Sequence, residues 1–406
     1  MFLVLRTAWH NGVESNGYGF LRPGIRFPSC VEYPWEEFAM RIAQVAPVFE
    51  SVPPKLYGGT ERVVSYLTEE LVRQGHEVTL YASGDSVTQA RLVACTPLSS
   101  RLDPTCTDPL SRQTVLLDRV LRDARFYDQI HFHCDYLHFP FTRRLGVPHV
   151  TTLHGRLDIL DLQALYDEFR DQPLISISEF QRRPIPRARW IGNVYHGLPP
   201  DLLTPRADVG DYLAVLGLIS PEKGIDRAIE IAERAGMPLK IAAKVDPADK
   251  VYFAEVIEPL LAKPHVEYIG EIDEDGKKEF LGRAQALLFP IDWPEPFGLV
   301  MIEAMACGTP VVAFERGSVP EVIEDGKTGF VVSDIEEAIE AVTHLEEIDR
   351  AECRSEFERR FTARRMAEDY VRIYRALGAA VLKAGTSRLP DLRPERPGRT
   401  RAAQRA

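Results

Sequence analysis

The stretch Ala286–Ala313 reads ALLFPIDWPEPFGLVMIEAMACGTPVVA and contains a complete strand–helix–strand unit. The apolar run 286–290 predicts a buried strand, and a Pro-rich loop containing Glu295 follows it. Gly298 opens a predicted helix, and residues 310–313 predict the next strand. Strands that alternate with helices in this way are usually parallel, so the stretch predicts a parallel sheet covered by helices.

The same alternation runs through most of the chain. Before residue 200, strands are predicted at Met40–Pro47, Glu77–Tyr81, Gln129–Cys134, His149–Leu153 and Leu174–Ser178. After a Pro-rich linker, they are predicted at Tyr212–Ile219, Pro238–Ala243, Ala286–Pro290, Pro310–Ala313 and Gly329–Val332. The sequence therefore predicts an α/β protein with two Rossmann-like domains facing across a cleft. Ligands of such sheets bind beyond the carboxyl ends of the strands.

The pattern divides the chain into five segments. Residues 1–39 have no helical or alternating period, so we predict that they are an N-terminal extension with a mis-assigned start and that Met40 is the native start; the alternative is a poorly ordered N-terminal arm. Residues 40–205 and 206–362 are the two predicted Rossmann-like domains. A further helix is predicted within residues 363–382. Residues 383–406 are rich in Arg, Pro and Ala, which predicts a disordered basic tail.

The composition is that of a soluble globular protein. The 406 residues are 45% hydrophobic and 27% charged, with a net charge of -11, which argues against nucleic acid as a partner. No stretch reaches the roughly 18 apolar residues that a membrane span needs, and the short apolar start is not a secretory signal. We therefore expect a cytoplasmic protein without a stable membrane span.

Cysteine and histidine spacing predicts no metal site. The six cysteines form no Cys-x-x-Cys pair, which favours a reducing compartment over a disulfide framework. His131 and His133 should point to one face of a strand, but no third ligand stands near them. No Asp-x-Asp sequence stands at a strand end, and Asp273–Asp275 is predicted to be a solvated loop. We therefore predict that no metal ion is needed.

Two carboxylates frame the helix start in the stretch quoted above. Glu295 precedes Gly298 and Leu299, whose free amide groups at a helix start favour an anionic ligand. Glu303 is the lone charge on an otherwise apolar helix. A carboxylate can accept two hydrogen bonds from a diol, so a ligand with both hydroxyls and phosphate is predicted. The alternative, that both acids only stabilise the helix dipole, accounts for Glu295 better than for Glu303.

Glu295-x₇-Glu303, with Pro-Phe-Gly-Leu inside it, closely resembles the donor motif of glycosyltransferase family 4, whose members are retaining enzymes of the GT-B fold. The resemblance covers most of residues 40–378. It includes the Gly58-Gly59 loop, Ser220–Gly224, Gly317–Val322 and Asp325–Phe330. The central run is similar to a branch that includes antibiotic-tailoring bacterial sugar transferases. The resemblance implies an acceptor domain at 40–205, a donor domain at 206–362, and a C-terminal helix at 363–382 that crosses back to the first domain.

The resemblance also implies roles for individual side chains. Glu303 would hold the ribose hydroxyls of the nucleotide, and Glu295 would hold hydroxyls of the donor sugar. Lys223 would neutralise the diphosphate, as a cation facing a leaving group should. His154 would contact the donor sugar near the reacting carbon. Lys223, Glu295 and His154 are therefore the predicted catalytic residues.

Backbone groups complete the implied donor site. Gly58 and Gly59 would let the diphosphate approach the backbone without an intervening side chain. The amides of Phe297, Gly298 and Leu299 would lie near the sugar or the phosphate. No cofactor is implied, because the nucleotide-diphosphate sugar is itself the donor substrate.

Two positions depart from the family pattern. The family usually has an arginine five residues before the lysine, and Leu218 stands there. Lys244, at the end of the next strand, is the candidate for the second positive charge, without which catalysis should be weak. His196 stands where an asparagine is common, and a structural role in a turn explains it equally well.

Four further residues are weaker candidates. His133 and Asp135 should face the cleft from a strand end, where Asp135 could contact the acceptor, although surface turn residues explain them equally well. Ser178 and Glu179 could line the cleft, although Ser178 is also a candidate helix cap.

The resemblance predicts metal-independent, retaining transfer from a nucleotide sugar to a hydroxyl acceptor. The base, the sugar and the acceptor stay open, and the acceptor could be a small molecule, a glycan or a lipid-linked sugar. One alternative is a nucleotide-sugar epimerase of the same fold. Another is a non-catalytic nucleotide-sugar-binding protein, with Leu218 as the first sign of lost catalysis.

Overall fold

The computed structural model describes residues 39–55 and 58–386. The predicted N-terminal extension (apart from Ala39) and residues 387–406 of the predicted basic tail lie outside this range. Residues 383–386, which were predicted to belong to the tail, instead continue the last helix. None of the helices in the described part of the chain combines the length and the apolar character that a membrane crossing requires.

The first sheet has seven strands, all of them parallel. They are β1 (Arg41–Val45), β2 (Glu77–Ser83), β3 (Arg91–Thr96), β4 (Gln129–Phe132), β5 (His149–Thr152), β6 (Pro173–Ser176) and β7 (Arg189–Asn193). Their order across the sheet is β3-β2-β1-β4-β5-β6-β7. The chain therefore switches direction across the sheet between β1 and β4.

The second sheet has six parallel strands. They are β8 (Leu213–Ile219), β9 (Leu239–Val245), β10 (Val266–Tyr268), β11 (Ala286–Phe289), β12 (Val311–Phe314) and β13 (Gly329–Val332). Their order is β10-β9-β8-β11-β12-β13, so the switch of direction lies between β8 and β11. The two doubly wound sheets confirm the predicted fold class. In each of them, the crevice at the switch point is where a ligand is expected.

Helices connect the strands. In the first half they are α1 (Gly59–Arg73), α2 (Pro109–Asp123), α3 (Phe139–Thr142) and α4 (Leu160–Glu168). In the second half they are α5 (Ile225–Ala235), α6 (Lys250–Tyr252), α7 (Glu258–Leu261), α8 (Glu274–Gly282), α9 (Leu299–Ala306), α10 (Val319–Val322), α11 (Ile335–Thr343), α12 (Arg350–Arg360) and α13 (Ala363–Thr386). Asp273–Asp275, predicted to be a solvated loop, instead begins α8, because the Asp273 carboxylate accepts a hydrogen bond from the Gly276 amide.

The long helix α13 packs on the first sheet. Its apolar face carries Met366, Tyr370 and Tyr374, which are buried against a cluster that includes Ile42 and Leu67. This burial removes two large aromatic side chains from water and joins α13 to β1. The Tyr370 hydroxyl lies 3.0 Å from the Thr152 hydroxyl, and Tyr374 bonds to polar groups near the cleft that are described below.

Candidate active site

The cleft lies at the carboxyl ends of both sheets and has a volume of about 600 Å³. Loops after β1, β4 and β5 contribute one wall, and loops after β8, β9 and β11 contribute the other. The predicted site residues on its walls are Gly58, Gly59, His133, Asp135, His154, His196, Leu218, Lys223, Lys244, Glu295, Phe297, Gly298, Leu299 and Glu303. Every predicted donor-site residue is therefore brought to one cleft.

Glu303 is held at the cleft by an ion pair that the sequence analysis did not predict. Its side chain is buried on α9, and the Lys277 ammonium donates a hydrogen bond of 2.7 Å to its Oε1. Lys277 also pairs with Glu274 at 3.3 Å, and Glu274 pairs with Arg62 on the opposite wall. A carboxylate has about four acceptor positions, so Glu303 can keep Lys277 and still accept from a diol.

Glu295 and Lys223 form a second ion pair at the cleft. The Lys223 Nζ lies 2.7 Å from the Glu295 Oε2, and the same oxygen accepts a hydrogen bond of 3.0 Å from the Trp293 indole. The Lys223 ammonium also lies 4.6 Å from the centre of the Trp293 ring, which is a cation–π contact. Two donors on Oε2 leave Oε1 available to a hydroxyl, and they orient the carboxylate before a ligand arrives.

The helix α9 begins at the cleft. Gly298 precedes it with a φ of 78°, a left-handed conformation that glycine adopts without strain. The Phe297 side chain turns away into the core, where its ring lies edge-on to His196 at 4.9 Å. The contribution of Phe297, Gly298 and Leu299 to a ligand is therefore the set of amide groups at a helix start, which favours an anion.

Gly317 lets a second loop hold the Glu295 backbone in place. A Cβ at position 317 would come within 2.3 Å of the Glu295 carbonyl oxygen, and Gly317 has a φ of 60°. We expect Gly317→Ala to destabilise the fold by about 2 kcal/mol more than Gly326→Ala, because it adds a backbone clash to the left-handed strain. Gly326 is the matched control, since it has a φ of 71° with open space around it. Equal urea midpoints for the two variants would contradict this reading of the loop.

Glycine is needed at position 58 for a steric reason other than the predicted approach of a diphosphate. A Cβ at Gly58 would come within 2.7 Å of the Pro54 Cβ, so packing inside its own loop already requires glycine there. A Cβ at Gly59 would make an ordinary contact of 3.7 Å with Leu299 across the cleft. Both glycines lie at the start of α1, but the structure gives a ligand-independent reason for Gly58.

Four neighbouring histidine rings form a row at the wall of the cleft, and three of them, His133, His154 and His196, line it. The His154 Nε2 lies 2.9 Å from the His133 Nδ1, and the His154 ring stacks on the His196 ring with centroids 5.3 Å apart. Burial lowers the pKa of His154 to about 3 and the pKa values of His131, His133 and His196 well below their usual range, so all four rings are neutral near pH 7.

The histidine row is not arranged as a metal centre. The ring nitrogens of His131 and His133 are occupied by hydrogen bonds to neighbouring side chains. In residues 39–55 and 58–386, no group of three or more His, Cys, Asp or Glu side chains could hold a metal ion. Metal-independent chemistry remains a prediction.

Leu218 and Lys244 are direct neighbours in the second sheet. They are partners in the parallel register of β8 and β9, and both line the cleft. Paired residues of adjacent parallel strands point to the same side of the sheet. The Lys244 ammonium therefore starts from a backbone position next to the one where the family usually has arginine.

On the opposite wall, Asp135 follows β4 with a φ of 48°, a conformation uncommon for residues other than glycine. The surrounding protein raises the pKa of its carboxyl group. The Ser178 Oγ accepts a hydrogen bond of 3.1 Å from the Gln181 amide, and neither Ser178 nor Glu179 lines the cleft.

The two walls are joined by a carboxylate that the sequence analysis missed. The Glu321 side chain, on α10, accepts hydrogen bonds from the amides of Glu179 and Phe180 at 2.8 and 2.6 Å and from the Tyr195 hydroxyl at 3.1 Å. In the sequence, Glu321 stands only as one residue of the Gly317–Val322 motif. Its contacts hold residues of the first sheet's loops against the second domain.

Two family profiles match adjacent parts of the chain. The profile described as Glycosyltransferase Family 4 matches residues 57–217, and that described as Glycosyl transferases group 1 matches residues 206–364. Together they span both walls of the cleft. The chain belongs to glycosyltransferase family 4. The predicted enzyme class, a glycosyltransferase, is thereby confirmed.

Known proteins are similar over most of this glycosyltransferase. It is 24% identical over 335 residues to the uncharacterized glycosyltransferase MJ1607 of Methanocaldococcus jannaschii, covering 71% of this chain and 85% of that protein. AviGT4, a glycosyltransferase involved in avilamycin A biosynthesis, has a TM-score of 0.66 at 24% identity, covering 84% of this chain and 98% of that one. HepE from Anabaena, solved with UDP-glucose, has a TM-score of 0.62 at 20% identity, covering 85% and 100%. These structural likenesses establish the GT-B fold.

Proposed function

We propose that this glycosyltransferase transfers a sugar from a nucleotide diphosphate to an acceptor hydroxyl, with retention of the anomeric configuration and without a metal ion. The observation that carries the proposal is the convergence of Lys223, Glu295, Glu303 and the start of α9 in one cleft. This set offers two oriented carboxylates for hydroxyls, and one ammonium with a helix start for phosphate.

The proposed donor lies along the second domain. Glu303 accepts hydrogen bonds from the ribose diol while Lys277 remains on its Oε1. Glu295 accepts from hydroxyls of the sugar through Oε1, because Lys223 and Trp293 both occupy Oε2. The diphosphate lies between these two carboxylates, near the Lys223 ammonium and the amides at the start of α9. UDP is the first nucleoside diphosphate to test, because the HepE structure contains UDP-glucose.

In this proposal, the protein supplies the positive charge that neutralises the leaving diphosphate. Negative charge grows on the phosphate oxygens as the bond from the sugar C1 to the phosphate oxygen lengthens. Lys223, Lys244 and the start of α9 all face the cleft at this wall, and preoriented charges of this kind stabilise a leaving group without reorganisation. A divalent ion is then unnecessary.

Retention follows from the face of C1 on which we propose that the acceptor attacks. The diphosphate begins to leave, and the acceptor oxygen attacks C1 from the same face. The acceptor proton passes to the departing phosphate oxygen, so no side chain has to act as nucleophile or base. Asp135, on the first-domain wall, is the proposed contact for the acceptor, since its carboxylate can accept a hydrogen bond from a hydroxyl.

Replacing Lys244 with methionine should lower kcat/KM for transfer by about tenfold, because the leaving group loses one of its two lysines. Adding Leu218→Arg to that variant should recover most of the loss, since residue 218 is the direct neighbour of residue 244 in the sheet. Steady-state rates of the wild type, the two single variants and the double variant measure both effects. No recovery in the double variant would show that the two positions do not serve the same charge.

The proposed function is tested by following product formation in EDTA with proton NMR. The expected result is a glycoside with the anomeric configuration of the donor, with one nucleotide diphosphate released per glycoside formed. An inverted product, or activity that EDTA removes and Mg²⁺ restores, would overturn the retaining or the metal-free part. A changed sugar epimer without transfer would indicate an epimerase. Donor binding without turnover, in both the wild type and Leu218→Arg, would indicate a binding protein.

A further inference from the structure

A directed chain of hydrogen bonds runs from the C-terminal helix to His154. The Gln44 Nε2 donates to the Tyr374 hydroxyl at 3.3 Å, and the Gln44 Oε1 lies 2.8 Å from the His133 Nε2. The His133 Nδ1 lies 2.9 Å from the His154 Nε2. Gln44, His133 and Tyr374 are all buried, so water does not compete for these groups. The proton positions along the chain are therefore coupled.

Only two arrangements of protons satisfy this chain. If Gln44 turns its oxygen to His133, the His133 Nε2 carries the proton and its Nδ1 accepts from the His154 Nε2–H. If the Gln44 amide is reversed, every proton reverses, and His154 carries its proton on Nδ1 instead. The orientation of one buried amide thus decides which polarity His154 offers.

The distances favour the first arrangement. A separation of 2.8 Å between Gln44 and His133 suits an N–H···O bond better than the N–H···N bond of the reversed amide. A separation of 3.3 Å between Gln44 and Tyr374 is closer to the usual range for N–H···O than to that for O–H···O. The Tyr374 hydroxyl then donates to the His131 Nδ1 at 2.6 Å, which leaves the His131 Nε2–H to donate to the Thr152 hydroxyl at 2.7 Å.

The surroundings of His154, the last residue in this series of hydrogen bonds, also favour the first arrangement of protons. The His154 Nδ1 is buried without a hydrogen-bond partner in the described protein, and the His154 ring lines the cleft. In the first arrangement this nitrogen is an unprotonated acceptor. In the reversed arrangement it is a buried N–H donor with nothing to receive it, and orphaned buried N–H groups are the rarer case.

We propose that Tyr374 and Gln44 are positioning residues that, through His133, hold His154 as the Nε2–H tautomer, so that its Nδ1 accepts a hydrogen bond from a hydroxyl of the bound sugar. A lone pair at this place favours a hydroxyl and repels a carboxylate, so it selects uncharged sugar groups at this point of the cleft. The sugar as the ligand rests on the proposed function. The tautomer itself does not depend on it.

The tautomer is tested by two-bond ¹H–¹⁵N NMR on the full chain labelled with ¹⁵N only in histidine, without ligand. The expected spectrum has a protonated Nε2 and an unprotonated Nδ1 for His154, whose signals are assigned as those missing from His154→Gln. A protonated Nδ1 in the wild type would overturn the proposal. This outcome is independent of whether transfer is ever detected.

The relay, meaning the series of hydrogen bonds from Tyr374 through Gln44 and His133 to His154, is tested by two variants. In His133→Phe, the His154 Nε2 loses its acceptor, so the Nδ1–H form should appear and kcat/KM for transfer should fall by about tenfold. In Tyr374→Phe, the Gln44 amide loses its fixed partner, and the same second tautomer should appear. An unchanged His154 tautomer in either variant, provided that it folds, would contradict the relay.

His138→Phe is the matched control. His138 is equally buried and bonds through its Nε2 to the Thr151 hydroxyl at 2.7 Å. It lies outside the cleft and takes no part in the hydrogen bonds from Tyr374 to His154. Its loss should leave the His154 tautomer and kcat/KM unchanged, whatever it does to stability. A changed His154 tautomer in His138→Phe would show that the signal reports general loosening of the fold, and the relay would then fall.

Discussion

Lys223→Met is expected to lower kcat/KM for sugar transfer by about a hundred- to a thousandfold, the range typical of removing one charge-stabilising donor. In the described structure, the Lys223 ammonium rests on Glu295 and against the Trp293 ring, at the wall where the leaving diphosphate is proposed to lie. Methionine keeps much of the length and apolar character of the lysine stem but removes the charge. Initial rates over a range of donor concentrations measure the effect.

The control for this variant is Lys240→Met. Lys240 forms an ion pair with Glu267 at 2.9 Å, as Lys223 does with Glu295, but it lies outside the cleft. Its substitution therefore removes the same kind of ion pair at a place where no leaving group is proposed. It should retain wild-type rates. A loss of less than fivefold in Lys223→Met, with the fold intact by circular dichroism, would remove Lys223 from its proposed role.

Glu303→Gln is expected to raise the Kd for the nucleotide diphosphate by about a hundredfold, because hydrogen bonds to a charged group contribute about 1.5–3 kcal/mol each. The amide keeps the size of the side chain but has only one acceptor oxygen. Lys277 still has Glu274 as a partner, so the substitution does not leave its ammonium unpaired. Isothermal titration calorimetry measures the change in Kd.

Glu267→Gln is the matched substitution on the Lys240–Glu267 pair outside the cleft. It should leave the Kd within twofold of the wild-type value. If both glutamine variants bound the diphosphate like the wild type, the ribose site would not be at Glu303. The carboxylates of the cleft would then need another ligand.

The fold could be predicted well where strands are buried on both faces. The strands β11 and β12 are fully buried and appear in the sequence as continuous apolar runs. The strands β3, β7 and β10, which lie at three of the four sheet edges, were missed, and most of their residues are half-buried or exposed. The fourth edge strand, β13, was predicted. An edge strand packs on fewer neighbours, so its residues need not be apolar and its pattern is weak.

The candidate site could be predicted where a motif carries it and not where it depends on distant pairing. Glu295, Glu303 and Lys223 lie within family motifs, and the structure brings them to one cleft. Lys277 was missed because no helix was predicted here and Asp273–Asp275, at its start, was assigned to a loop, although the Glu274–Lys277 spacing of three residues was a usable signal. Tyr374 could not have been linked to Gln44, since 330 residues separate them and only the packing of α13 joins them.

The most direct test of the account is calorimetric titration of the wild-type protein with UDP, GDP, ADP and NAD in EDTA. The account predicts that one nucleoside diphosphate binds tightly without a metal ion, and that NAD does not compete with it. That diphosphate then names the donor for the transfer experiment. If no diphosphate bound, or if only NAD did, the assignment of the cleft as a metal-free nucleotide-sugar site would be contradicted.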